Sequence, residues 1–171
     1  VGNRNNWDAK DWAALNLTPA QRNMISPEDD IIEALSEGVV SGTMDHTLDS
    51  KINRMVVFRP LLESEEMKSA IKEAHAYLGN EYDFSFDIND ASKQICTEII
   101  YRCFNGKNNI RFDLVSRIGT MTLNADDIGK AALKSEGMEF LMLIVEDNYR
   151  PGHARISRGN TGLEMIKGLL N

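Results

Sequence analysis

Ile95-Cys96-Thr97-Glu98-Ile99-Ile100-Tyr101-Arg102-Cys103 follows a polar segment, residues 87–93, and its apolar positions 95, 96, 99, 100 and 103 recur at helical spacing. This reads as a loop feeding a helix, with Cys96 in the first turn and Asp90 or Ser92 as the cap. A cysteine there meets the unpaired N–H groups and positive end of the helix dipole, which favour thiolate over thiol. The thiolate is the nucleophile, so a catalytic cysteine fits the position. A structural cysteine fits it as well, because burial is the commoner fate of a free cysteine and Cys96 shares its stripe with Ile99, Ile100 and Cys103. Cys103 reads as core.

Working outward, Ser64 opens the clearest helix. Glu65 and Glu66 follow in its first turn, Met67, Ala70, Ile71, Ala74 and Leu78 form its apolar stripe, and Gly79 ends it. Upstream, residues 1–3 read as the tail of a strand and residues 7–17 as a short helix or irregular insertion, with Pro19 and Pro27 as punctuation. Residues 30–35 predict a strand that turns at Glu37-Gly38 into a second one over 39–41. Residues 42–50 read as a polar loop, and 54–58 as a β-rich run stopped by Pro60. Downstream, 111–115 read as extended, Asn124 as the start of a helix through Lys134, 140–145 as a buried strand and 163–170 as a short terminal helix. Strands flanking the cysteine helix, with helices between, predict an α+β domain in which one antiparallel sheet packs on a small helical layer.

The chain has 171 residues and a formal net charge of −7. That length suits a single domain with room for a core. Its acidity and lack of a basic run argue against a nucleic-acid partner. Its two cysteines lie about two helical turns apart, roughly 10 Å, too far for a disulfide. No cysteine–histidine cluster has zinc spacing, so neither metal nor cofactor is expected. No apolar run is long enough to span a bilayer, and the chain reads as soluble.

The segment Leu78-Gly79-Asn80-Glu81-Tyr82-Asp83-Phe84-Ser85-Phe86, followed after a short gap by Ile95-Cys96-Thr97-Glu98-Ile99-Ile100-Tyr101, resembles the signature of the YiiX/YebB-like cysteine hydrolases. These are circularly permuted papain-like proteins, related in fold to the lecithin retinol acyltransferase group. Ile31-Ile32-Glu33-Ala34, Gly38-Val39-Val40 and Arg54-Met55-Val56-Val57-Phe58-Arg59-Pro60 add a further match, so the resemblance spans about residues 30–125. It implies a permuted papain-like fold with the cysteine helix against the sheet and Cys96 as nucleophile.

A thiol hydrolase needs a base beside the sulfur and a third group to orient that base. His75 lies on the helix from Ser64 and is expected to be exposed. His46 falls in a polar loop and His153 in a glycine- and arginine-rich stretch, and His46 suits the role best of the three. The resemblance instead places the histidine on a strand ending at Val1-Gly2, a few residues before Val1. It makes Glu33 the orienting partner on the next strand; without it, Glu33 reads as a solvent-facing carboxylate. Tyr82 reads either as a cleft residue polarising a carbonyl or as a tyrosine closing a turn, and Asp83 as a cap for neighbouring backbone. Glu98 is expected to point away from the sulfur and Arg59 to pair at a sheet edge.

These readings converge on a cysteine hydrolase acting on a small peptide, amide or acyl substrate through a thioester. An amidase or peptidase is preferred to a lipid acyl hydrolase or acyltransferase, because the aliphatic residues form no lipid-binding stripe. The alternative from another class is an inactive papain-like domain that binds its ligand without cleaving it.

Overall fold

The computed structural model describes residues 8–49, 53–117, 119–147 and 153–170. Helices α1 (Ala9–Ala14) and α2 (Pro19–Asn23) precede a hairpin of β1 (Ile31–Leu35) and β2 (Gly38–Gly42). Then come α3 (Met44–Asp49), β3 (Arg54–Pro60), α4 (Ser64–Ala76), β4 (Glu81–Tyr82), β5 (Lys93–Gln94) and the cysteine helix α5 (Cys96–Phe104). The chain continues with β6 (Val115–Arg117), β7 (Thr120–Thr122), α6 (Ala125–Lys134), β8 (Met138–Glu146), β9 (Ala154–Arg158) and α7 (Gly159–Leu170). The strand tail expected over residues 1–3 lies outside the described residues.

The mixed α and β content matches the expected class, but the β structure is divided. Among the described residues β3, β8 and β9 form a three-stranded antiparallel sheet, β1–β2 and β6–β7 are separate antiparallel hairpins, and β4–β5 is a short parallel ladder. Local geometry explains why the first hairpin does not extend the sheet through β2. Gly79 N–H donates to Val39 O at 3.0 Å and Val39 N–H donates to Asn80 O at 2.9 Å, so the segment after α4 occupies that edge. Gly38 permits this approach, with φ of +116° and an added Cβ only 2.5 Å from the Asn80 carbonyl oxygen.

Helix α5 is held by apolar burial. Ile99 and Cys103 pack with Ala34 and Val39 of the hairpin, Ala70 of α4 and Leu78. Burying a side chain of isoleucine size contributes about 1.5–3 kcal/mol. Ile100 and Tyr101 reach a second cluster around Ile110, Phe112 and Leu123, with Ile128 of α6 beside it.

Several local expectations change. Residues 44–49 form α3 instead of loop. This helix buries none of its residues and is tied at its start by Met44 N–H to the Asp30 carboxylate, 2.7 Å, and His46 N–H to the Thr43 hydroxyl, 3.2 Å. Neither tie leaves an apolar period. The extended run over 111–115 enters a strand only at Val115. Asn124 does cap α6, accepting from Asp127 N–H at 2.8 Å.

The loop between β4 and α5 is organised by Asp83, which is fully buried. Its carboxylate accepts from Ser85 N–H at 2.9 Å, the Ser85 hydroxyl at 2.5 Å and Asp87 N–H at 2.6 Å. Burial alone would raise its pKa, but the Ser85 hydroxyl and the N–H groups of Ser85, Asp87 and Phe86 outweigh it, so the net direction is downward. Arg102 of α5 closes the far end, donating to the Gln94 side-chain oxygen at 3.1 Å and to Ile88 O at 2.6 Å.

Because Asp83 has a depressed folded pKa, its stabilisation is present above the ordinary aspartate value and is lost as pH falls through the folded one. Asp83→Asn should cost about 1–3 kcal/mol near neutrality and flatten this acid-side loss. Denaturant melts of both proteins across the acid range check this, and parallel pH profiles would refute it.

Candidate active site

The first turn of α5 is built differently from the sequence expectation. The cap position is Ile95, not Asp90 or Ser92, and its N–H donates to the Glu98 carboxylate at 3.1 Å. Asp90 instead turns inward on its own loop, accepting from Ser92 N–H at 2.9 Å and the Ser92 hydroxyl at 2.6 Å. With no side chain over the helix end, the N–H groups of Cys96 and Thr97 are directed at the Cys96 sulfur.

Those two donors favour the thiolate, as the helix position predicts. They do not prevail. Packing of protein around the sulfur raises the Cys96 pKa most, and the negative charges of Glu98 and Glu33 push in the same direction. The net shift is therefore upward, contrary to the expectation of an activated thiol. Cys96 is nonetheless exposed, whereas Cys103 is buried and its pKa is pushed up to about 12, chiefly by that burial.

The other residues singled out in the sequence reach this site by separate routes. Glu33 lies on β1 opposite Val40 and is half-buried, and its charge acts on the Cys96 sulfur. Tyr82 is set opposite Gln94 by the parallel β4–β5 ladder, two residues before Cys96. Burial raises the Tyr82 pKa first, followed by the negative charges of Cys96, Glu98 and Asp83, so its hydroxyl keeps its proton. Glu98 is buried and caps Ile95; burial raises its pKa, partly countered by the Ile95 N–H. Arg59 pairs with Glu139 at 3.4 Å on the exposed sheet edge.

Among the described residues no histidine is among the groups that shift the Cys96 thiol. His75 is buried, not exposed, and its Nδ1–H donates to Ile71 O at 2.8 Å. It shares the Ile71 face of α4, one step around from the stripe read through Ala74. His46 is exposed on α3 and His153 is exposed after residue 152. Among the described residues no group of three or more histidine, cysteine, aspartate or glutamate side chains is arranged to hold a metal.

Sequence reasoning missed the cleft beside the sulfur. A cavity of about 390 Å³ is lined by Cys96, Thr97 and Ile100 of α5, Val56 and Phe58 of β3, Leu143 of β8, and residues of α6 and α7. Arg54 and Asp126 are its charged lining residues, and both are exposed. Thr97 is 7% exposed, and its buried hydroxyl has no hydrogen-bond partner among the described residues. Tyr82 does not line this cleft; it borders a second, more charged groove with Glu37, Glu81 and Lys93.

A family model described as permuted papain-like amidase enzyme, YaeF/YiiX, C92 family, matches residues 11–150. No curated protein and no solved structure matches the chain significantly.

The electrostatics make a signed prediction. Iodoacetamide should label Cys96 slowly below the ordinary thiol range and faster as pH rises, with Cys103 slower throughout. Glu33→Gln removes one charge that raises the thiol pKa, so its Cys96 labelling curve should move to lower pH. Peptide mapping of the alkylated protein measures both; an unmoved curve would show that Glu33 does not act on the sulfur.

Proposed function

Because the chain belongs to the permuted papain-like amidase family, we propose that it is a cysteine amidase with Cys96 as its nucleophile. The observation that supports this reading most is that Cys96 stands exposed in the first turn of α5, in the wall of a cleft, while Cys103 of the same helix is buried.

The same electrostatics specify what else the reaction needs. Two carboxylates oppose ionisation of the thiol, so an activated site requires a cation beside the sulfur. An imidazolium oriented by Glu33 supplies it. The base takes the thiol proton, and the sulfur attacks the amide carbonyl. The tetrahedral oxyanion lies near the Cys96 N–H, and Tyr82, which keeps its proton, supplies a second donor. As the C–N bond breaks, the imidazolium returns its proton to the leaving amine, and a C–S thioester remains. Water then adds to the thioester, the C–S bond breaks, and carboxylic acid and thiol are released.

Assay of the protein on a panel of muropeptides, simple N-acyl amides and phospholipids tests this reading. Amide cleavage is expected, with Cys96→Ala lowering turnover by several orders of magnitude and Glu33→Gln by roughly a hundredfold or more. A thioester adduct on Cys96 should be visible by mass spectrometry. Turnover that survives Cys96→Ala overturns the assignment, and ligand binding with no turnover at all would favour a non-catalytic papain-like domain.

A further inference from the structure

A groove of about 330 Å³ lies between residues 109–115 and helix α6, and none of its lining residues lines the cysteine cleft. One wall is set by alternation. Ile110 and Phe112 are buried in the second apolar cluster and Leu114 packs against it, so Asn109, Arg111, Asp113 and Val115 turn outward. The other wall is one face of α6, where Asp127, Lys130, Ala131 and Lys134 recur at helical spacing. Their neighbours Asp126, Ile128 and Gly129 line the cysteine cleft instead. The two walls are tied together at Ser135, whose hydroxyl donates to Asn109 O at 3.2 Å and accepts from Gly137 N–H at 3.0 Å. Gly137 permits this approach, since an added Cβ would collide with the Asn108 carbonyl.

The charge in this groove stands apart from the rest of the surface. On a chain of net charge −7, Lys68, Lys93, Lys107 and Arg117 each lie within 3.7 Å of a carboxylate oxygen. Among the described residues Arg111, Lys130 and Lys134 take part in no ion pair. Arg111 donates to the neighbouring Ile110 O at 2.9 Å. Asp127 is already committed: Arg117 lies 2.9 and 2.8 Å from its two oxygens. Burial pushes the Asp127 carboxyl up, but Arg117, the Asn124 N–H and, least, Lys130 bring it down on balance. Three cations gathered in one groove repel each other, and an anion placed between them removes that cost.

We propose that this groove binds a phosphate monoester of a hydroxylated compound, a sugar phosphate being the simplest. Lys130 and Lys134, one turn apart, face Arg111 across the groove and hold the phosphate from both walls, with the guanidinium fork giving direction to the contact. Asp113 repels a bare anion but accepts hydrogen bonds from hydroxyl groups, and the Asn109 amide beside it can both donate and accept. Val115 and Ala131 give the carbon skeleton an apolar surface. The site is separate from the Cys96 reaction and stands or falls without it.

Titration calorimetry of the protein with methyl phosphate, glucose 6-phosphate and glucose tests the proposal. Glucose 6-phosphate should bind more tightly than methyl phosphate, and glucose alone should not bind. Binding of either phosphate should strengthen as pH rises through about 6, where the monoester gains its second charge. The charged groups facing it are Arg111, Lys130, Lys134, Asp113 and Asp127, none of which changes charge there, and no histidine lines the groove. Lys130→Gln and Lys134→Gln should each weaken binding by about tenfold. Lys72→Gln, an equal change of net charge on α4 outside the groove, should leave it unchanged. Asp113→Asn should strengthen methyl phosphate and remove the advantage of glucose 6-phosphate over it. Absence of saturable binding, equal affinity for the two phosphates, or a loss no greater in Lys130→Gln than in Lys72→Gln would overturn the proposal.

Discussion

The geometry of the candidate site depends on the burial of one carboxylate. Asp83 is fully enclosed and accepts three short hydrogen bonds from Ser85 and Asp87. An ionised group in that position is tolerable only because its donors replace water. The loop is thereby folded back so that Tyr82 pairs with Gln94, which leads directly into Cys96. Gln94 is itself fully buried and held by Arg102 from the helix that follows. The tyrosine, the loop and the cysteine helix are therefore tied together by hydrogen bonds.

That unit is joined to the hairpin by two independent forces. Backbone hydrogen bonds link Val39 to Gly79 and Asn80, and apolar contacts link Ile99 and Cys103 to Ala34 and Val39. Glu33 is carried on the same hairpin, one position before Ala34. Alternation along β1 sends Ala34 into the core and leaves Glu33 on the opposite face, where its charge reaches the sulfur. The position of Glu33 relative to Cys96 is thus set by packing on the other side of the strand. The candidate site is thereby tied to the core.

The Cys96 microenvironment is a balance, and its sign carries the chemistry. The N–H groups at the helix start stabilise a thiolate, while packing and two carboxylates oppose it, and the opposition is larger. A reactive thiolate in this place needs a neighbouring positive charge. The apolar lining of the cleft adds to that need, because charge interactions strengthen where apolar groups replace water.

Much of this was legible in the chain itself. The stripe through Ala70 and Ile71, the glycine turn at Gly38, the Asn124 cap and the Cys96 helix all announce themselves through local periodicity or capping chemistry, which act over a few residues. The family resemblance rested on equally local boxes around Gly79, Tyr82 and Cys96. What only the tertiary structure decided is what crosses between elements. The cap of α5 is an isoleucine backbone served by Glu98, a pairing hidden because Ile95 offers no side-chain oxygen. His75 is buried because α4 is covered on a wider arc than its stripe suggested. The cleft draws Val56, Ile100, Leu143 and Leu170 from four elements, so no stripe in the sequence could reveal it. The ionisation of Cys96 turned on burial, a property of the whole fold, over the helix dipole, a property of one turn.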